Sequence, residues 1–136
     1  MFSSERHEIR NIFFTAWKKY QDKLPLEPLE AQIIDVILLH PEYQPIFSHP
    51  DRYQDKDFAE ANPFFHIGLH LSLREQINTN RPVGIRGIYD ALCQRFGDVH
   101  EVEHKMMECL ANILWEAQRS GGMPEEGKYL DCLQEI

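Results

Sequence analysis

From Asp98 to Arg119 the chain carries one unbroken helical pattern, stopped by Gly97 before it and by Gly121-Gly122 after it. Its front end is unusual, because His100, Glu101, Glu103 and His104 fall within five residues. Successive residues of a helix turn by ~100°, so with His100 at zero, His104 lies at ~40°, Met107 at ~−20°, Ala111 at ~20° and Leu114 at ~−40°. Glu103 falls at ~−60°, between these and Leu110, whereas Glu101 falls at ~100° on the side of Lys105, Asn112 and Arg119. The helix therefore has to bury His100, Glu103 and His104 with its apolar face. Buried imidazole and carboxylate are costly unless partnered, so whatever packs here must bring polar groups of its own.

A second histidine pair answers that need. Asn62-Pro63 is a good helix start, and His66 and His70 follow at the same four-residue spacing. With His66 at zero, His70, Ile77, Leu73 and Leu69 lie at ~40°, ~20°, ~−20° and ~−60°, while Glu75, Gly68 and Ser72 make the polar side. Both histidines thus sit in the middle of an apolar surface. Glu30 is likewise centred on the Ile33, Ile34 and Ile37 face of an earlier helix, and His40 lies at the edge of that face.

A divalent cation would partner all of these groups at once. His66, His70, His100, Glu103 and His104, completed by Glu30 or His40, form the expected metal ligand set, with zinc, iron or manganese as the expected ion. Two other readings stand beside it. The same groups can form a metal-free His–Glu hydrogen-bond network that fixes helix register, in a non-enzymatic interaction module. An ion left open to water would instead support hydrolysis. His100-Glu-Val-Glu-His104 also fits both the HExxH and HxxEH peptidase patterns. Against proteolysis, Glu101 points to the polar side, where it serves the cap begun by Asp98, and no strand is present to hold an extended peptide.

The rest of the chain predicts an all-α protein, a single-domain bundle of five to six helices over residues 1–136. Helix one spans about Ser4 to Gln21, capped by Ser3 or Ser4, with Ile9, Ile12, Phe13, Ala16, Trp17 and Tyr20 on one face. Helix two runs from Pro28 to His40, because Pro41 disfavours helix in the residue before it. Residues 41–61 hold Pro41, Pro45 and Pro50 and read as a long ordered loop, with room for a short helix near Pro45 to Ser48 or after Asp55. Helix three ends near Asn78, helix four covers Ile85 to Phe96, and a last short helix follows Pro124. No stretch alternates over strand length.

Composition narrows the partners. The 136 residues carry a formal charge of −8 without a basic patch, which argues against duplex nucleic acid and anionic membrane. No apolar run reaches the ~20 residues that span a bilayer. The N-terminal residues lack a signal-peptide layout, and a cytoplasmic location is expected. Cys93, Cys109 and Cys132 are odd in number and form no CxxC, so three structural thiols are expected rather than a disulfide framework. A protein partner or a homo-oligomer remains open, and the aromatic residues of 41–61 suit the former.

The blocks Asn62-Pro-Phe-Phe-His-Ile-Gly-Leu-His70 and His100-Glu-Val-Glu-His-Lys-Met-Met-Glu-Cys-Leu110, with Trp115-Glu-Ala-Gln-Arg119 and His40-Pro-Glu-Tyr43, resemble the signature blocks of an uncharacterised bacterial family of small proteins. That resemblance implies a cytosolic bacterial protein of unassigned activity. A looser likeness is to hemerythrin-like di-metal bundles. There His66 with His70 matches an HxxxH element and His104 with Glu108 an HxxxE element, although the order and remaining ligands differ.

Overall fold

A computed structural model describes residues 2–58 and 61–136, with side chains from residue 5 onward. Among the described residues it is all-helical, with eight α-helices and one 3-10 turn, more than the five to six expected. They are α1 (Phe2–Gln21), α2 (Pro28–Leu38), α3 (Gln44–Phe47), α4 (Pro50–Tyr53), α5 (Pro63–Thr79), α6 (Ile85–Phe96), α7 (Val99–Ser120) and α8 (Glu126–Gln134). The extra elements come from 41–61. Pro41, Pro45 and Pro50 each fall in the first turn of a short element, the 3-10 turn Pro41–Tyr43, α3 and α4. Proline suits that position because its φ is already helical and its missing N–H has no helical partner to lose. The chain divides into two compact units, Met1–Gly68 and Leu69–Ile136, and the division falls inside α5.

In the first unit, α1 packs on α2. The buried residues are Phe13, Phe14, Ala16, Trp17, Ile33, Ile34, Val36, Ile37, Phe47, Phe64 and Ile67. The expected face of α1 is only half right. Ile9, Ile12 and Tyr20 are exposed, and the buried side turns toward Phe14 and Arg10. The cause is Phe64, whose ring meets Phe13 and Phe14 edge-on at 5.6 Å each. Helix α1 also begins earlier than expected, so Ser3 and Ser4 fall within it, and their side chains lie outside the described residues.

Arg10 is 5% exposed and anchors the proline-rich segment. Its Nη1 donates to the carbonyls of Tyr53 (2.9 Å), Gln54 (3.2 Å) and Lys56 (2.8 Å). The guanidinium also lies 4.7 Å from the centre of the Phe64 ring. Trp17 Nε1 donates to Ser48 Oγ at 3.0 Å, which ties α3 to α1. Residues 41–53 are therefore a run of short helical turns, and the irregular residues after them are fastened to α1 through Arg10, a correction to the long-loop reading.

In the second unit, α7 lies against α6 and α8. Leu69, Leu73, Ile85, Leu92, Val102, Met106, Met107, Leu110, Ile113, Tyr129 and Leu133 make its core. Gly97 and Gly121 end α6 and α7 in the left-handed region, at φ 78° and 72°, where a side chain would be strained. Asp98 caps α7 by accepting from the backbone N–H of His100 (3.0 Å) and Glu101 (3.3 Å). Asn62 does the same for α5 through Phe64 (2.9 Å) and Phe65 (3.2 Å).

The expectation of three thiols fails. Cys109 on α7 and Cys132 on α8 are joined by a disulfide, with Cα atoms 5.8 Å apart, and Cys93 is the free thiol. An odd count forbids complete pairing, not one pair. No helix among the described residues is long and apolar enough to cross a membrane.

Candidate metal centre

His40 follows the end of α2 and precedes the 3-10 turn, where Pro41 stops the helix. Its ring is 2% exposed and lies flat against Tyr43, with centroids 5.2 Å apart. Nδ1 stands 2.8 Å from the Val36 carbonyl oxygen. A carbonyl can only accept, so His40 carries its proton on Nδ1, and its Nε2 presents a lone pair when the ring is neutral. That Nε2 is 3.1 Å from Nε2 of His66 on α5. Tyr43 is held in its neutral form, since burial and then the Glu42 charge push the phenol above its usual pKa.

The second unit repeats the arrangement. His70, one helical turn after His66 on α5, is fully buried, and its Nε2 is 3.1 Å from Nε2 of His104 on α7. On its other side, Nδ1 lies 3.6 Å from Glu103 Oε1. Glu103 is 2% exposed and gripped by Arg74, whose Nε donates to Oε1 at 2.8 Å and Nη2 to Oε2 at 3.2 Å. Burial alone would raise the Glu103 pKa, but His70 and Arg74 overcome it and hold the carboxyl down to about 2. A carboxylate behind a histidine Nδ1, with Nε2 presented to the other side, is the usual outer partner of a metal-bound imidazole.

His40, His66, His70 and His104 together make a group of side chains that can hold a metal ion. Four of the seven expected ligands belong to this group; His100, Glu103 and Glu30 are not among its members. His100 stands beside the second pair, its ring centroid 4.2 Å from that of His104 and 5.4 Å from that of His70. Glu103 is committed to Arg74. Glu30 closes the capping box of α2, accepting from the Glu27 backbone N–H at 2.8 Å and from Lys19 Nζ at 3.0 Å. A carboxylate three residues past a helix start has that partner available locally, and centring on an apolar face does not reveal it. Glu101 points away from the histidines, with one oxygen 3.9 Å from Lys105 Nζ.

Arg74 is the residue that the sequence reading missed. Its signal was present, because it stands four positions after His70 on the same face of α5 and so had to meet whatever carboxylate met His70.

No curated protein and no solved structure matches the chain. No match carries the looser likeness to hemerythrin-like bundles. One family description does match, and it covers residues 5–135, including all of the histidines described above. The chain belongs to that family, which is described as a domain of unknown function, DUF1841.

Proposed function

We propose that this is a metal-binding protein that holds one divalent transition-metal ion with Nε2 of His40, His66, His70 and His104. The observation that carries the reading is the pair of Nε2–Nε2 separations, each 3.1 Å. Two nitrogens bound to one ion at ~2.0–2.1 Å, with angles between ~90° and ~109°, stand ~2.9–3.4 Å apart. His66 and His70 are one turn apart on an unbroken helix, a rise of ~6 Å, so each pair is carried by the same face of α5. The back of His40 is tied to a carbonyl and that of His70 faces a carboxylate, which directs Nε2 of each toward its partner ring.

The distance of 3.1 Å is also that of a hydrogen bond, and this favours one second reading, the metal-free network. In it His66 donates Nε2–H to His40, because His40 has its proton on Nδ1. Metal analysis of protein purified without a histidine tag separates the two. Close to one equivalent of a transition metal, and a rise in Tm when zinc is restored to stripped protein, is the expected result. Less than about 0.1 equivalent of any transition metal, with no thermal shift on adding zinc, manganese or iron, sinks the metal reading, since an ion bound only by the folded state must stabilise it.

A further inference from the structure

We infer that the groove lined by α6, α7 and α8 is a thiol-exchange site, in which a small zwitterionic thiol of the cysteinyl-peptide class opens the Cys109–Cys132 disulfide by attack on the Cys132 sulfur. The inference stands apart from the metal reading and uses none of its four histidines.

The groove has a volume of ≈ 570 Å³, and both joined cysteines line it. Cys109 is 3% exposed and belongs to the core of the second unit, whereas Cys132 on α8 is half-buried. A nucleophile arriving through the groove meets Cys132 first, and Cys109 is then the sulfur that leaves. Lys105 stands one helical turn before Cys109 on the same face of α7 and lines the same groove. Its pair with Glu101 is long, at 3.9 Å, and leaves its charge available. A cation beside a cysteine favours the thiolate, so Lys105 eases the departure of Cys109. The groove carries charge of both signs. Arg95 and Lys105 each lie 4.8 Å from the centre of the Phe96 ring, which gathers two cations at one edge, and Glu108 and Glu135 supply two carboxylates. A thiol that bears both a carboxylate and an ammonium complements this lining, and an uncharged thiol does not.

Thiol alone balances the reaction. The incoming thiolate bonds to the Cys132 sulfur, the S–S bond breaks, and Cys109 leaves with the electron pair and takes a proton from water. A second thiolate attacks the thiol's own sulfur in the mixed disulfide and displaces Cys132, so two small thiols are oxidised to their disulfide and the protein gains two thiols. Helix α8 stays docked after opening. Tyr129 and Leu133 are buried, the Tyr129 hydroxyl donates to Gln76 Oε1 at 2.6 Å, and Arg95 Nη1 donates to the Ile136 carbonyl at 2.6 Å. The two thiols are thereby kept near enough to close again.

The test incubates the full chain in EDTA with glutathione or with 2-mercaptoethanol, stops the reaction with excess N-ethylmaleimide, and maps the modified peptides by mass. The expected first product carries glutathione on Cys132 and maleimide on Cys109, formed at a rate that rises with thiol concentration. The rate ratio of glutathione to 2-mercaptoethanol should be at least ~3-fold higher on the folded chain than on the urea-unfolded chain, the size expected of two exposed ion pairs. Lys105→Met should slow opening by either thiol ~3-fold or more, and Lys105→Arg, which keeps the charge, should restore the rate. The peptide mapping and the rate ratio need no variant, so they decide the matter even if Lys105→Met does not fold by circular dichroism. A first adduct on Cys109 overturns the inference, as does opening at a rate independent of thiol concentration, which would mean that the bond is reached only by unfolding. Equal ratios on folded and unfolded chains, or equal rates for wild type and a folded Lys105→Met, overturn it too.

Discussion

Replacing Glu103 with Gln should cost the metal-free protein about 3 kcal/mol at neutral pH. The Glu103 carboxyl is held at about 2, against an ordinary 4.5. Each tenfold change in proton affinity corresponds to about 1.4 kcal/mol, so the ionised form is favoured by folding to the extent of about 3 kcal/mol. The residue is 2% exposed, and solvent screening takes little from that figure. The folded-state value is the lower one, so the stabilisation is complete above about pH 4.5 and is lost as pH falls toward about 2; roughly half remains at pH 3. Gln does not titrate and accepts through one oxygen only, leaving Arg74 facing an amide. Urea unfolding in EDTA, wild type against Glu103→Gln, reads this directly. With a slope of roughly 1.5 kcal/mol per molar, about 3 kcal/mol moves the midpoint by about 2 M at pH 7. The gap should narrow steadily between pH 4.5 and pH 3. A gap under about 1 kcal/mol at pH 7, or one of constant size from pH 7 to pH 3, refutes the reasoning, because either outcome means that Arg74 and His70 do not hold the carboxylate as the geometry implies.

Three further outcomes follow from the same kind of contact. Arg10→Met removes the donor to three backbone carbonyls in residues 53–56 and should destabilise by about 2–4 kcal/mol, with limited proteolysis now cutting that segment; an uncut segment would show that the aromatic contacts alone suffice. Cys109→Ser with Cys132→Ser opens a covalent loop whose ends are 23 residues apart and should lower stability by about 3 kcal/mol in denaturant melts, whereas equal midpoints for variant and wild type with or without dithiothreitol would deny the bond a stabilising role. Asp98→Ala removes the cap of α7 and should cost about 1 kcal/mol, seen as faster amide exchange at His100 and Glu101.

Helix type and helix ends were legible because their causes are local. Gly97, Asp98 and Gly121 each act through their own backbone or through an N–H two or three residues away, and α7 starts and stops where they stand. The same locality explains Asn62 at the head of α5. Residues 41–58 were harder, since three closely spaced prolines both break a long helix and start short ones, and the contacts that fasten the segment come from Trp17 and Arg10, 31 or more residues away. No periodicity carries that information. The disulfide was illegible for a like reason, because parity counts cysteines without saying where α8 lies.

The site shows where facing arguments stop. A helical wheel states that a side chain leaves solvent; it does not state what the side chain meets. His66, His70 and His104 were turned inward and each met an imidazole, whereas Glu103 was turned inward and met Arg74. Glu30, equally central on its wheel, met the helix end three residues behind it. His40, marginal on the wheel, is buried and held from behind, because breaking α2 at Pro41 lets Nδ1 reach back to the Val36 carbonyl. The two glutamates of His100-Glu-Val-Glu-His104 make the same point, since one meets Lys105 and the other Arg74. The partner behind Nδ1 lies one turn back along the chain for His40, at the Val36 carbonyl, and on a different helix for His70, at Glu103. Only the first kind can be read from sequence spacing.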